Sequence, residues 1–530
     1  MAVPGRACVL LSRVVGAGGA QARRSCCDAF RTTHITKRRP LSCCVIVAVV
    51  AYTYLARPLR ADAAFAPHSS LNPRADSDGR DPSRPRYRIS EVRSHGADSD
   101  RPWVTYGDKV YDITDWIPAH PGGEVILRAA GGSIDVFWDI FAIHKQPYVR
   151  DILETYLIGY VATEDLVDGK LPQDKIEDPF LQDPERHPSL LTLTQKPRNA
   201  ETPGDDLAAS FLTPNDLFYV RNHMWVPQID GTGADHAVTI ELPDGEIKSY
   251  TLQELREKFP AYKVTATLQC SGNRRKHMTN AGLKTNGLQW NVGGISSAEW
   301  EGVRLVDVLK DAGFPVEKHR DGGDTGAKHV WFSGLEAYGS SIPLDTVVDP
   351  RADVLLAYGM NGEPLPRDHG FPSARSPSQW QRRDYKLFGP NVGGAADWDS
   401  APAIQEMPIT SAITSIKVQN DGPVDCSDPD LPEKIATLQG YAFSGGGKRL
   451  GDDGESPCKG RKNWIWQRWR YDTQLPMDEQ RGDKWCSTVV VKATDEVYSS
   501  QPEHHEGIYN LRGNLATAWH RVSVCTECRK

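Results

Sequence analysis

Beyond its leader this chain has little cysteine. Five of its eleven (Cys8, Cys26, Cys27, Cys43, Cys44) fall in the first 44 of 530 residues. The other six (Cys270, Cys426, Cys458, Cys486, Cys525, Cys528) are too sparse to staple so large a body, which excludes a disulfide-framed secreted scaffold. Cys525 and Cys528 spell CxxC, but without a second pair they read as an incidental tail rather than a zinc site. Long apolar runs are also missing. Leu41–Ala56 is short for a comfortable membrane span, so membrane association depends on that segment being retained. Positive charge is lacking after the leader. Residues 1–60 hold ten Arg or Lys against Asp28 alone, which leaves −16 for the rest of a chain of net charge −7. An acidic body excludes nucleic acid as a partner and suits a basic protein.

What is present falls into blocks. Residues 1–60 have the Arg-rich, acid-poor composition of an organelle transit peptide, closed by the apolar segment 41–56. That two-part arrangement resembles signals for the mitochondrial intermembrane space. Residues 61–86, rich in Asp, Ser, Arg and Pro, read as a linker. The 87–162 block alternates like a strand through Val104–Ile113, turns at His120-Pro121-Gly122-Gly123, and resumes helical spacing at Val125–Leu127 and Val136–Phe141, with His144 following on the second helical stretch. Two histidines set on apolar helices can close on one planar cofactor from opposite faces. Residues 163–188 are charged and Pro-punctuated, a mobile hinge in this reading.

The stretch Val264–Lys276, VTATLQCSGNRRK, is the chemical focus. A predicted strand ends at Cys270, a turn follows, and then Arg274, Arg275 and Lys276. Neighbouring cations favour a thiolate, the form that ligates metals, and would hold an anionic substrate beside it. Other strand-to-loop junctions present Arg, His, Asn or Gly: FYVRN at 218–222, MNGEPLPRDHGFP at 360–372 and WQRRDYK at 380–386. Converging cations and backbone N–H groups are what a large phosphorylated cofactor requires.

The 87–162 block resembles a cytochrome b5 domain, which implies haem b held by His120 and His144. The later motifs resemble the eukaryotic sulfite oxidase family. That resemblance implies a multidomain α+β protein: a cytochrome b5-like haem domain, a mixed α/β molybdopterin domain (189–402), and an immunoglobulin-like β-sandwich for homodimerisation (403–530). It further implies Cys270 as the thiolate ligand of a molybdenum–molybdopterin cofactor, lined by Phe218, Tyr219, Val220, Arg221 and Asn222, with His369 at its phosphate end. Arg221, Arg275 and Arg512 would form the sulfite pocket, and Tyr385 would hydrogen-bond at the metal. Guanidinium groups stay charged and grip oxyanions through paired N–H bonds. The implied activity is oxidation of sulfite to sulfate, with electrons passing through the haem to cytochrome c.

Three places are short against the family's pattern: after Gly334, after Pro372 and after Gly447. The family's Asp cofactor contact is either replaced by Glu336 or absent, and Arg375 is left to replace a missing Arg. A chain whose shortened domain failed to load the pterin would be a haem-only electron carrier. A nitrate reductase is disfavoured because those enzymes place the haem domain after the dimer domain.

Overall fold

The computed structural model describes residues 81–527 apart from several short internal stretches, chiefly 172–177, 228–235, 334–338, 371–384, 390–399, 420–432 and 451–461. The leader, the 41–56 segment, Glu336 and Arg375 therefore lie outside the described residues. Among those described, no helix is long and apolar enough to cross a membrane.

The alternating run at 103–113 is two strands rather than one. Trp103–Tyr106 and Lys109–Asp112 pair antiparallel across a turn in which Gly107 takes φ +60°, a conformation open to glycine. Leu157–Val161 joins the second of these, and Arg86–Tyr87 completes the sheet in parallel. Val104, Tyr111, Ile113, Ile134 and Trp138 fill the space beneath. The helical stretch divides as well: Asp135–Ile140 ends where Phe141 turns extended, and His144 sits on a separate short turn of helix, Ala142–Lys145.

The central region is built on the antiparallel sheet Tyr262–Gln269, Ile295–Arg304, Leu355–Met360 and Glu363–Pro364. Beside it lie a small sheet of Leu191–Thr194, Asn199–Glu201 and Val220–Arg221 and the amphipathic helix Leu305–Ala312, which stops at Gly313 with φ +106°. Helix Leu252–Lys258 starts from a reciprocal capping box between Thr251 and Glu254.

The C-terminal region is a β-sandwich. Thr410–Val418, Glu433–Phe443 and Gln467–Pro476 form one sheet; Glu479–Arg481, Lys484–Val491 and His520–Glu527 form the other. Their shared core holds Ala412, Leu438, Tyr441, Phe443, Trp466, Trp469, Val489 and Val491. Trp466 and Trp469 thus serve as packing residues. Val292 and Ile295 of the central region enter the same core, so the two regions share apolar burial. Cys486 and Cys525 oppose each other directly across two strands and form a disulfide, which corrects the reading of Cys525 as part of an incidental tail.

The 163–188 stretch is tied down at its far end, unlike the free tether its composition predicts. Phe180 is buried, and Arg186 pairs with Asp183 and with Asp368, all three nearly enclosed.

Candidate active site

Strand Tyr262–Gln269 delivers Cys270 to the end of the central sheet, where it is a buried free cysteine. The turn after it is held from several sides. Cys270 N–H donates to the Gly294 carbonyl at 2.9 Å and Asn273 N–H donates back to the Cys270 carbonyl at 2.9 Å. Asn273 also donates to the Tyr441 hydroxyl at 2.9 Å and accepts from Gly294 N–H at 3.0 Å. Arg274 takes φ +66°. That left-handed residue sends the three consecutive cations apart, so they do not act together on one anion as the sequence reading expects. Arg274 is wholly buried and donates to the Ser411 carbonyl of the β-sandwich at 3.1 Å, Lys276 is exposed, and Arg275 alone turns toward Cys270.

Arg275 is gripped along its length. Its Nε donates to the Arg512 carbonyl at 2.6 Å, Nη1 to the Leu288 carbonyl at 2.6 Å, and Nη2 to Asn514 Oδ1 at 3.0 Å. Gly272, Gly287 and Gly513 form a sleeve around it: a Cβ at any of them would lie within 2.6–2.9 Å of its side chain. The turn at 510–515 comes from the C-terminal region and docks here, with Leu515 N–H donating to the Ser271 carbonyl at 2.7 Å. It carries Arg512 to the site. Burial lowers the Arg275 pKa to about 10; Cys270 opposes the shift, while Arg512 and Arg221 reinforce it and Tyr385 opposes it. The five residues Cys270, Arg275, Arg512, Arg221 and Tyr385 thus share one electrostatic neighbourhood although they are spread over 292 positions of the chain.

Arg221 Nη1 donates to Asn199 Oδ1 at 2.9 Å and to the Asn222 carbonyl at 2.8 Å. Its Nη2 lies 3.3 Å from His223 Nδ1, and His223 Nε2 lies 2.8 Å from the Tyr385 hydroxyl. His223 bridges two predicted site residues yet was not itself predicted. Its only signal is its position directly after FYVRN. Loss of solvent around the ring, with Arg221 adding to the effect, holds its pKa well below the ordinary histidine range, so it is neutral at pH 7. Phe218 packs edge-on against His369 at 4.8 Å and stacks with Tyr219 at 5.4 Å; Val220 is buried and Asn222 donates to Asp368 at 2.8 Å. The same loss of solvent lowers the His369 pKa to about 4.

The donor set fits a molybdenum–pterin group: one soft sulfur in a dry turn, faced by guanidiniums able to balance anionic ligands. The placement of His120 and His144 fits a metal held between two imidazoles. The ring centres of His120 and His144 stand 6.3 Å apart. Two metal–nitrogen bonds of about 2 Å each would set imidazole centres at roughly this separation. His144 Nδ1 lies 3.2 Å from the Phe137 carbonyl, which fixes that nitrogen as the donor and leaves Nε2 for a metal, and burial lowers the ring's pKa.

Three domain families match the chain. Residues 88–162 match the cytochrome b5-like heme/steroid binding domain, 223–375 the oxidoreductase molybdopterin binding domain, and 452–527 the Mo-co oxidoreductase dimerisation domain. Sulfite oxidase of Gallus gallus is 40% identical over 490 residues, covering 83% of this chain and all of that protein. Mitochondrial sulfite oxidase of Homo sapiens is 41% identical over 486 residues, covering 83% of this chain and 84% of that protein. Among solved structures, the sulfane dehydrogenase SoxCD of Paracoccus pantotrophus aligns with a TM-score of 0.43 at 19% identity, over 66% of this chain and 90% of that one.

Proposed function

The chain belongs to the sulfite oxidase family, and from that premise we propose that Cys270, Arg221, Arg275, Arg512 and Tyr385 form the centre where it oxidises sulfite to sulfate. The protein is a molybdenum-dependent sulfite oxidase with a molybdopterin cofactor and a b-type haem. The observation that carries the site assignment is geometric: the 510–515 turn docks on the Cys270 turn with Arg275 held by the Arg512 carbonyl, and His223 links Arg221 to Tyr385.

When bound, the molybdenum–pterin group supplies the two-electron oxygen-transfer chemistry and the haem relays electrons singly. Cys270 would hold the metal through sulfur, and Phe218, Tyr219, Val220, Asn222 and His369 would line the pterin. Arg221, Arg275 and Arg512 would take the sulfite dianion from water and orient it, offsetting the repulsion between anions in the closed site. The Arg221 guanidinium has no lone pair to offer, so His223 Nδ1 accepts from it at 3.3 Å. The neutral ring then carries its proton on Nε2 and donates to Tyr385 Oη at 2.8 Å. That contact positions the Tyr385 hydroxyl beside Arg221. His120 and His144 would hold the haem iron, and two imidazoles leave it no open position, which suits electron transfer.

The protein is mitochondrial, as its human and rat relatives are by name; within the organelle we assign it to the intermembrane space. The Cys486–Cys525 disulfide supports an oxidising compartment. Cytochrome c is the proposed acceptor, a basic protein matched to a body of charge −16. A homodimer would form through residues 403–530.

Cys270→Ser tests the assignment. Losing a group that merely supports a metal ligand costs about 10–100-fold, so loss of the ligand itself should lower sulfite-dependent haem reduction more than about a hundredfold. The haem absorbance should be unchanged. Retained turnover would contradict the assignment.

A further inference from the structure

The haem-ligand region and the body after it pack into one compact unit, and an aromatic cluster joins them. Phe141, whose ring lies 5.5 Å from that of His144, meets Phe180 edge-on at 5.3 Å and Trp225 at 6.4 Å. Phe180 and Trp225 are themselves perpendicular at 6.1 Å, and the Arg128 guanidinium stands 5.1 Å over the Trp225 ring. The cluster thus draws on three separate blocks: Arg128 and Phe141 from the haem-ligand region, Phe180 from the stretch after it, and Trp225 from the catalytic region.

Trp225 sits on a loop held by several hydrogen bonds and ion pairs. Val226 N–H donates to Asp183 at 2.8 Å, and Arg186 bridges Asp183 and Asp368. Asn222 donates to Asp368 at 2.8 Å, and Arg367 donates to the Val226 carbonyl at 3.0 Å. The same loop begins at Arg221 and His223. One short segment therefore faces the substrate centre with its first residues and the His144 side of the haem-ligand region with Trp225.

We propose that Trp225 is the docking residue of the haem-binding unit, forming with Phe180 a socket for Phe141 that Arg128 latches. The proposal rests on the two-histidine haem reading. Oxidation of sulfite with one water gives sulfate, two protons and two electrons. Each electron would cross this contact to a ferric haem held by His120 and His144, reducing it to ferrous, and a soluble one-electron acceptor protein would restore the ferric state. Trp225 positions the partners of that internal transfer without touching sulfite. The Phe141 face is covered while docked, so the acceptor must approach elsewhere or after release.

The test uses the full-length holoenzyme carrying Trp225→Ala, Trp225→Phe or Arg128→Ala. Stopped-flow reduction of the haem by sulfite should slow at least tenfold in Trp225→Ala, less in Arg128→Ala, and recover largely in Trp225→Phe. Small-angle scattering of the oxidised protein without sulfite should show a larger radius for Trp225→Ala. Sulfite turnover with ferricyanide, a small oxidant able to reach the substrate centre directly, should stay within twofold of wild type. Unchanged haem reduction or an unchanged radius would overturn the docking role. So would a parallel fall in ferricyanide turnover, which would make Trp225 part of the substrate site. Wild-type protein without b-type absorbance would instead overturn the two-histidine reading and take this proposal with it.

Discussion

Arg274, Arg275 and Lys276 are adjacent in the chain and end in three environments, because one left-handed residue redirects the backbone between strand and helix. The sequence marks this segment as cationic, but the partition depends on backbone dihedrals that three basic letters do not encode. Cys270 was legible for the opposite reason: alternation followed by a Ser-Gly-Asn break announces a strand end. Glu201 was not legible. It lies in an unremarkable NAE strand, and only the tertiary fold buries it against the backbone N–H groups of Asn291 and Gly293. Burial raises its pKa from 4.5 to about 7. Between those values the folded state binds a proton that the unfolded state has released, so this residue's contribution to stability falls as pH rises and levels off above about 7. Glu201→Gln keeps an acceptor for the backbone and removes the titration. Denaturant unfolding from pH 4.5 to 7 should show the variant gaining on wild type by on the order of 3 kcal/mol. A constant difference across that range would contradict the shift.

At the scale of elements, the family resemblance marks Arg512, but the contact of its 510–515 turn with Arg275 arises only once the β-sandwich packs on the central sheet. Gly513 has φ +58°, and a Cβ there would come within 2.7 Å of Arg275 Cγ and 2.9 Å of Thr285. Gly513→Ala must therefore shift either the turn or the arginine. We expect the KM for sulfite to rise about tenfold, about 1.4 kcal/mol of lost binding, with a smaller change in kcat. Steady-state kinetics beside a thermal melt would check this; an unchanged KM would show that Arg275 does not hold the anion. The hairpin at 103–112 and the Cys486–Cys525 bridge were missed for a related reason. Alternation continues through a two-residue turn, and cysteine spacing does not reveal strand register.

At the scale of the molecule, domain order and cofactor chemistry were legible because each lies in a local motif, HPGG with FAIH, CSGNRR, and WQRRDYK. How the blocks meet was not. The 163–188 stretch is polar enough to read as a free tether, yet burial of Phe180 contributes about 2 kcal/mol. The Arg186 pairs with Asp183 and Asp368 hold its end against the catalytic loop. Glu336 and Arg375, which would replace the family's missing cofactor contacts, fall outside the described residues. Loading of the pterin is therefore the point on which the whole account turns. The most direct test is molybdenum content of the purified protein, read together with the haem Soret band as sulfite is added. The account predicts close to one molybdenum per haem and reduction of the haem by sulfite; haem without molybdenum, unmoved by sulfite, would contradict it and leave an electron carrier joined to an inactive shell.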